Sequence, residues 1–131
     1  MRKTIIHTDE APAAIGPYSQ AVRVGTLLFT SGQIGLDPST GEMPADPALQ
    51  ARQGFANLRA ILQAAGASTK DVVKLTIFLT DMNDFAAVNE EMKRVFEPPY
   101  PARSCVAVAA LPKGAAFEAE AVAAVPESDG R

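Results

Sequence analysis

Arg103 lies in Pro101-Ala102-Arg103-Ser104-Cys105, at the entry to an apolar stretch. Proline stiffens such an approach, and a guanidinium aimed from a rigid element can hold a carboxylate by two parallel hydrogen bonds. The same arginine could equally be a surface residue at a strand end, the commoner fate of arginine. Glu118 and Glu120 stand two apart in Phe117-Glu118-Ala119-Glu120-Ala121, so in a strand both project from one face. Either they are charges that discourage edge-to-edge association, or partial burial raises one carboxyl far enough for general acid–base work. Spacing leaves both readings open. Gly16-Pro17-Tyr18-Ser19-Gln20 and Thr30-Ser31-Gly32-Gln33 each set a hydroxyl near a glycine. Such a stretch is a plain turn, or a place where a ligand comes close to the backbone while Tyr18 and Ser31 offer hydrogen bonds. Asn89 falls inside a helical pattern, one step from its apolar stripe, and is either solvated or reaching a neighbouring pocket.

Other chemistries find no support. Cys105 would need a base to act as a nucleophile, and the only histidine is His7, near the N-terminus. A cysteine in an apolar strand is more often a small core residue, although its backbone groups stay available to a ligand. One cysteine and one histidine cannot build a standard structural zinc site, so no metal is expected, and a single cysteine forms no internal disulfide. The sequence has neither GxxxxGK[ST] nor GxGxxG, the glycine-rich loops that cradle phosphates. A net charge of −3 supplies no positive excess to draw the chain to nucleic acid or anionic lipid. The longest apolar run, residues 105–111, is too short to span a bilayer. His7, Asp9 and Glu10 occupy the place where a secretion signal needs its apolar core. With 47% hydrophobic and 21% charged residues over 131 positions, the expectation is one soluble, cytoplasmic domain covering 1–131.

Hydrophobic patterning supplies the elements that would carry these groups. Residues 4–6 read as a short strand, and 21–24 with 27–30 as a hairpin turning at Gly25-Thr26. Residues 37–41 are turn chemistry throughout. Asp46-Pro47 starts a helix whose apolar face is Phe55, Leu58, Leu62 and Ala65, closed by Gly66. Residues 72–79 are too short and too β-branched for a helix and read as a strand with Val73, Leu75, Ile77 and Leu79 on one face. Asp84 opens a second helix, with Phe85, Val88, Met92 and Val95 on one side, stopped by Pro98-Pro99. Strands near 104–110 and 117–125, separated by Pro112-Lys113-Gly114, complete a β-β-β-α-β-α-β-β order. Hairpins make antiparallel neighbours and helical crossovers parallel ones, so the sheet should be mixed, an α+β fold. Two helices cover only one face of such a sheet, and its strands are apolar on both. The uncovered face therefore predicts a homo-oligomer.

The same residues carry a family resemblance. The chain resembles the YjgF/reactive-intermediate-deaminase A (RidA) family along almost its whole length, through AAIGPYSQAV, FTSGQI, ADPALQARQGFANLRAILQAAG, DMNDFAAVNE, and PARSCVAVAALP followed by FEAEAVA. The resemblance implies a chorismate-mutase-like fold, a homotrimer with sites between subunits, and no cofactor. It implies hydrolysis of 2-iminopropanoate and 2-iminobutanoate, and of their enamine forms, to 2-keto acids and ammonia. By position, Arg103 would grip the substrate carboxylate and Glu118 would activate water. Tyr18, Ser31 and Gly32 would line the cleft, Cys105 would contact substrate through its main chain, and Asn89 would come from the second helix. Two departures stand out: the approach Glu97-Pro98-Pro99-Tyr100 is shorter than in some relatives, and Glu118 is flanked by Phe117 and Ala119 where the family usually has aliphatic residues. The alternative from another class is a small-carboxylate binder without turnover, or an RNA-cleaving or chaperone-like member of the same family. The absence of a basic, aromatic-rich stripe disfavours nucleic acid as the main partner.

Overall fold

Local signals set the ends of most elements. In the computed structural model, which describes residues 2–127, Gly25 at φ +62 turns the chain between β2 (Ala21–Val24) and β3 (Leu27–Thr30). The Asp46 carboxylate accepts from the Ala48 N–H at the start of α1 (Pro47–Ala64). At the other end Gly66, φ +82, lets its own N–H reach the Gln63 carbonyl and that of Ala67 reach Leu62, a paired closure that satisfies two orphan carbonyls. The remaining elements are β1 (Lys3–Ile6), β4 (Gln33–Ile34), β5 (Val72–Leu79), α2 (Phe85–Val95), β6 (Ala102–Ala107) and β7 (Phe117–Ala124). Residues 1 and 128–131, the ends of the expected domain, lie outside the described residues.

The strands form one sheet in the order β1-β2-β3-β7-β5-β6, with β4 also pairing β7. All pairs are antiparallel except β5 with β6, which the α2 crossover joins in parallel. The expected mixed α+β architecture is therefore present. Leu28, Leu75, Ile77, Leu79, Phe117, Ala119, Ala121 and Ala123 form one buried cluster with Phe55, Leu58, Ile61 and Leu62 of α1 and Val88 and Met92 of α2.

The structure departs from the expected elements in four details. Val73 does not share the buried face of β5: Val72 pairs with Ala123 and Lys74 with Val122, so Val73 is the extra residue of a bulge and 49% exposed. Strict alternation fails there, and Val72 takes the core position. Asp84 does stand at the N-cap of α2, as expected, but without a side-chain cap bond; Asp81 instead accepts from the Asn83 N–H in a 3₁₀ turn that leads into α2. The sixth strand runs over Ala102–Ala107 rather than 104–110, because it lies at the sheet edge with only β5 to pair. Finally, β4, two residues long, is too short to leave a periodic signal.

Buried amides on α1 fasten the irregular chain to the helix. Asn57 donates to the carbonyls of Ile34 and Leu36, and Gln50 donates to Pro44 while accepting from the Ala116 N–H. Gly35 passes so close to α1 that a Cβ there would lie 2.5 Å from Gln50 Cα. Gly54 plays the matching role for β7: a Cβ would lie 2.5 Å from the ring of Phe117, which packs edge-on against Phe55 at 5.1 Å. Helix α2 is tied to α1 by Arg52, whose Nε and Nη2 donate to the two oxygens of Glu91 at 2.9 and 3.0 Å.

Two stability predictions follow from this packing. In an open helix Gly→Ala gains up to about 1 kcal/mol. Gly54→Ala should instead lose about 1–3 kcal/mol, because the fully buried Phe117 ring has nowhere to go; urea unfolding measures it. The Arg52 hydrogen bonds hold the Glu91 carboxyl below its ordinary value, against the opposing effect of burial. The unfolded chain thus takes up that proton first as pH falls. The pair's contribution is full above the ordinary glutamate range and is lost as pH drops through the folded-state value. The Tm difference between wild type and Glu91→Gln should accordingly be largest at neutral pH and shrink below about pH 4.

Candidate functional site

Register along β7 decides where the chemistry goes. Ala119, Ala121 and Ala123 point into the core, so Glu118 and Glu120 project from the sheet face that the helices leave open. β3 pairs with residues 122–124 of β7 and β4 with 118–119. Between them the chain steps away over Ser31 and Gly32, and the Thr30 hydroxyl accepts the Ala121 N–H that this step leaves over. The step opens a recess of about 590 Å³ lined by Tyr18, Ser31, Gly32, Lys113, Glu118 and Glu120. Glu118 lies directly on Gly32: a Cβ there would fall 2.6 Å from the carboxyl carbon. Burial first, and then the charge of Glu120, push the Glu118 carboxyl above its ordinary value. Ser31 donates through its hydroxyl to the Ser19 carbonyl at 2.6 Å, which fixes that wall.

Arg103 is elsewhere. It registers with Leu75 on β5, whose side chain is fully buried, so it leaves β6 toward the helices. Its guanidinium lies 5.2 Å from the centre of the Phe85 ring and donates to Asn89 Oδ1 at 2.5 Å and to Met92 Sδ at 3.5 Å. These three residues follow one another at i, i+4 and i+7 on α2. A second cavity of about 520 Å³ opens beside them, lined by Asn89, Met92, Lys93, Tyr100 and Arg103. Cys105 sits two residues along on the same side. Burial raises its thiol, with Arg103 opposing, so it is no thiolate nucleophile. Its backbone is another matter. Val108 N–H bonds the Leu79 carbonyl, so by the two-residue alternation the N–H and C=O of Cys105 face the free edge of β6.

The expected site residues thus sort into two sets. Tyr18, Ser31, Gly32 and Glu118 share one recess; Arg103 and Asn89 share another, with the Cys105 backbone at the adjoining edge. Within one chain the sheet stands between them. Asn89 touches Arg103 itself.

Three contributors were not assigned from sequence. Gln20, buried, donates to the carbonyls of Thr8 and Pro12 and accepts from the Thr8 N–H, pinning the segment that carries the Tyr18 wall. Lys113, read only as part of a turn, takes φ +57 and lines the Glu118 recess. Tyr100, noted only as part of an unusual approach, walls the Arg103 cavity. None is announced by spacing; each depends on how a loop lies.

Comparison with known proteins follows the same residues. The family model for endoribonuclease L-PSP matches residues 8–125. A RutC family protein of Haemophilus influenzae is 56% identical over 127 residues, 94% of this chain and 98% of that one. The 2-iminobutanoate/2-iminopropanoate deaminase of Escherichia coli K12 is 53% identical over 126 residues, again 94% and 98% of the two chains. Among solved structures, RidA from Psychrobacter sp. PAMC 21119 superposes with a TM-score of 0.91 at 50% identity, covering 93% of this chain and 99% of that one.

The contact between Gly32 and Glu118 is open to test without any assay of turnover. Gly32 does not occupy a left-handed conformation, so alanine is tolerated by the backbone, and the carboxylate can swing aside. Gly32→Ala should change unfolding free energy by less than about 1 kcal/mol. It should also return the Glu118 carboxyl, followed by NMR titration, toward its ordinary value. A Glu118 titration unmoved by the substitution would show that the glycine does not set the carboxyl's position.

Proposed function

The chain belongs to the endoribonuclease L-PSP family, which includes the YjgF/RidA proteins, and from that premise we propose that it is an imine deaminase whose site is completed between copies of the chain. Its substrates on this reading are 2-iminopropanoate and 2-iminobutanoate, hydrolysed to 2-keto acids and ammonia. The observation that carries the arrangement is the separation of Arg103 and Glu118 to opposite faces of one sheet. Hydrolysis of an imino acid needs a held carboxylate and a water beside the C=N carbon. One chain offers these groups in separate cavities, so a neighbouring copy has to bring them together. The uncovered sheet face supports such an assembly: Leu27, Phe29 and Val106 are each more than 40% exposed on it, and β6 has a free edge. A closed ring of three copies is the form proposed.

Arg103 holds the substrate carboxylate, with the Cys105 N–H at the strand edge as an additional donor. Phe85, Asn89 and Met92 already fix the guanidinium, so little side-chain freedom is lost on binding. Glu118, its carboxyl raised by burial, takes a proton from water as the oxygen adds to the imine carbon. The same proton then goes to nitrogen, and as the C–N bond breaks the carbinolamine hydroxyl forms the C=O and loses its own proton by way of Glu118, so that nitrogen leaves as ammonia. Ser31 and Tyr18 line the nitrogen side. The substrate already reacts with water, so positioning and one acid–base group suffice. A polyanionic RNA fits poorly beside Glu118 and Glu120, although relatives carry a ribonuclease description.

The test is generation of 2-iminobutanoate from threonine by a dehydratase, with semicarbazide competing for it. Wild type should suppress the semicarbazone, whereas Arg103→Ala and Glu118→Gln should each lose about 10²-fold or more. Unfolded together in equal amounts and refolded, the two inactive variants should regain about a quarter of wild-type activity. That fraction follows because each site draws its arginine and its glutamate from different copies, each intact half of the time. No recovery would place both groups in one chain. A semicarbazone signal untouched by wild type would leave the binding or RNA reading.

A further inference from the structure

We propose that Glu120 is a substrate-contact residue of this site, holding the nitrogen of the substrate in its protonated, iminium form. The inference rests on the deaminase reading and names the form of substrate that the recess takes.

Glu118 and Glu120 occupy successive outward positions of β7 and line one recess. Among the described residues neither carboxylate is in an ion pair or a side-chain hydrogen bond. Activating water employs one of them. The second is left facing the same space, where the step between β3 and β4 uncovers the strand. The charged and titratable groups around it are few. Lys113 reaches the rim from the turn before β7, Tyr18 comes from the segment before β2, and Lys74 of β5 donates to the Ser104 hydroxyl on the same face. Two carboxylates against one rim lysine leave the recess negative.

A 2-imino acid reaches the protein as a neutral imine, an enamine or an iminium. Only the iminium carries positive charge at nitrogen, and its carbon is the most electrophilic toward water. With Arg103 on the carboxylate and Glu120 on the nitrogen, both charged ends of the zwitterion are met. As water adds, the new O–C bond forms, the C=N π pair passes to nitrogen and cancels its charge, and the water proton goes to Glu118. Glu120 changes no bond. It loses its cationic partner as the adduct forms and regains one when Glu118 protonates nitrogen; the C–N bond then breaks, ammonia departs, and the hydroxyl forms the C=O and gives its proton to the freed Glu118 carboxylate.

The measurement is calorimetric binding at neutral pH of 2-aminobutanoate and 2-hydroxybutanoate, which share carbon skeleton and carboxylate and differ in an ammonium against a hydroxyl. Wild type should bind the amino acid at least about tenfold more tightly. Glu120→Gln should bring the ratio close to one, and Glu120→Asp should keep the preference. No preference in wild type, or one unchanged in Glu120→Gln, overturns the proposal; Lys113 pairing with Glu120 would give the first of these. Ammonia release measured on the same proteins separates the two claims. Turnover without the preference sinks only the role of Glu120, and the preference without turnover sinks only the deaminase reading.

Discussion

Strand β7 is paired on both sides and buried on one face, and the alternation of its side chains constrains nearly everything else. Phe117, Ala119, Ala121 and Ala123 must fill the space beneath α1, and three of the four are small. Small residues let the helix come close, and close approach is why α1 carries Gly54 opposite the one large ring. A strand with that inward set has no freedom over its outward set. Glu118 and Glu120 are locked to the open face by the same register that packs the core, and a slip of one residue would bury both charges at a cost of several kcal/mol. Glu118 is therefore held by the fold's most over-determined element.

The weakly periodic parts of the chain are held by a different device. Three buried amides, Gln20, Gln50 and Asn57, each satisfy backbone groups of segments that belong to no helix and at most a two-residue strand. Leaving such groups unpaired in the interior would cost about 1–3 kcal/mol apiece. The amides make it possible for a wandering chain to run over the core and still present Tyr18, Ser31 and Gly32 at fixed positions. On the other side of the sheet Arg103 is held by α2 through an aromatic face, an amide oxygen and a thioether, so its guanidinium is fixed within the chain.

Much of this was legible in the residues, and the failures have physical causes. The hairpin at Gly25, the helix from Asp46-Pro47 to Gly66 and the limits of β5 are written in local chemistry that the fold does not override. Val73 was misplaced because a bulge is a property of two strands, and its own strand reads as unbroken alternation. Asp81 rather than Asp84 bonds a free N–H because a 3₁₀ turn precedes the helix, and both aspartates carry the same local signal. The candidate site residues were singled out by type and motif. That they divide between two cavities could not be read, because faces of a sheet are assigned only once strand order and register are known.

That division bears on the chemistry. A guanidinium and a pair of carboxylates in one cavity of one chain would neutralise each other, and the salt bridge would have to be broken by every substrate. Keeping Arg103 on the helix face and Glu118 with Glu120 on the other prevents these charges from pairing within one chain. Arg103 makes do with neutral partners and an aromatic face, which leave its charge uncancelled, and among the described residues neither carboxylate is in an ion pair. On the proposed reading, the zwitterionic imino acid is what comes between these charges when copies meet. Its affinity then comes from attractions the protein has been unable to make internally, and only a small molecule with opposite charges at both ends collects them all.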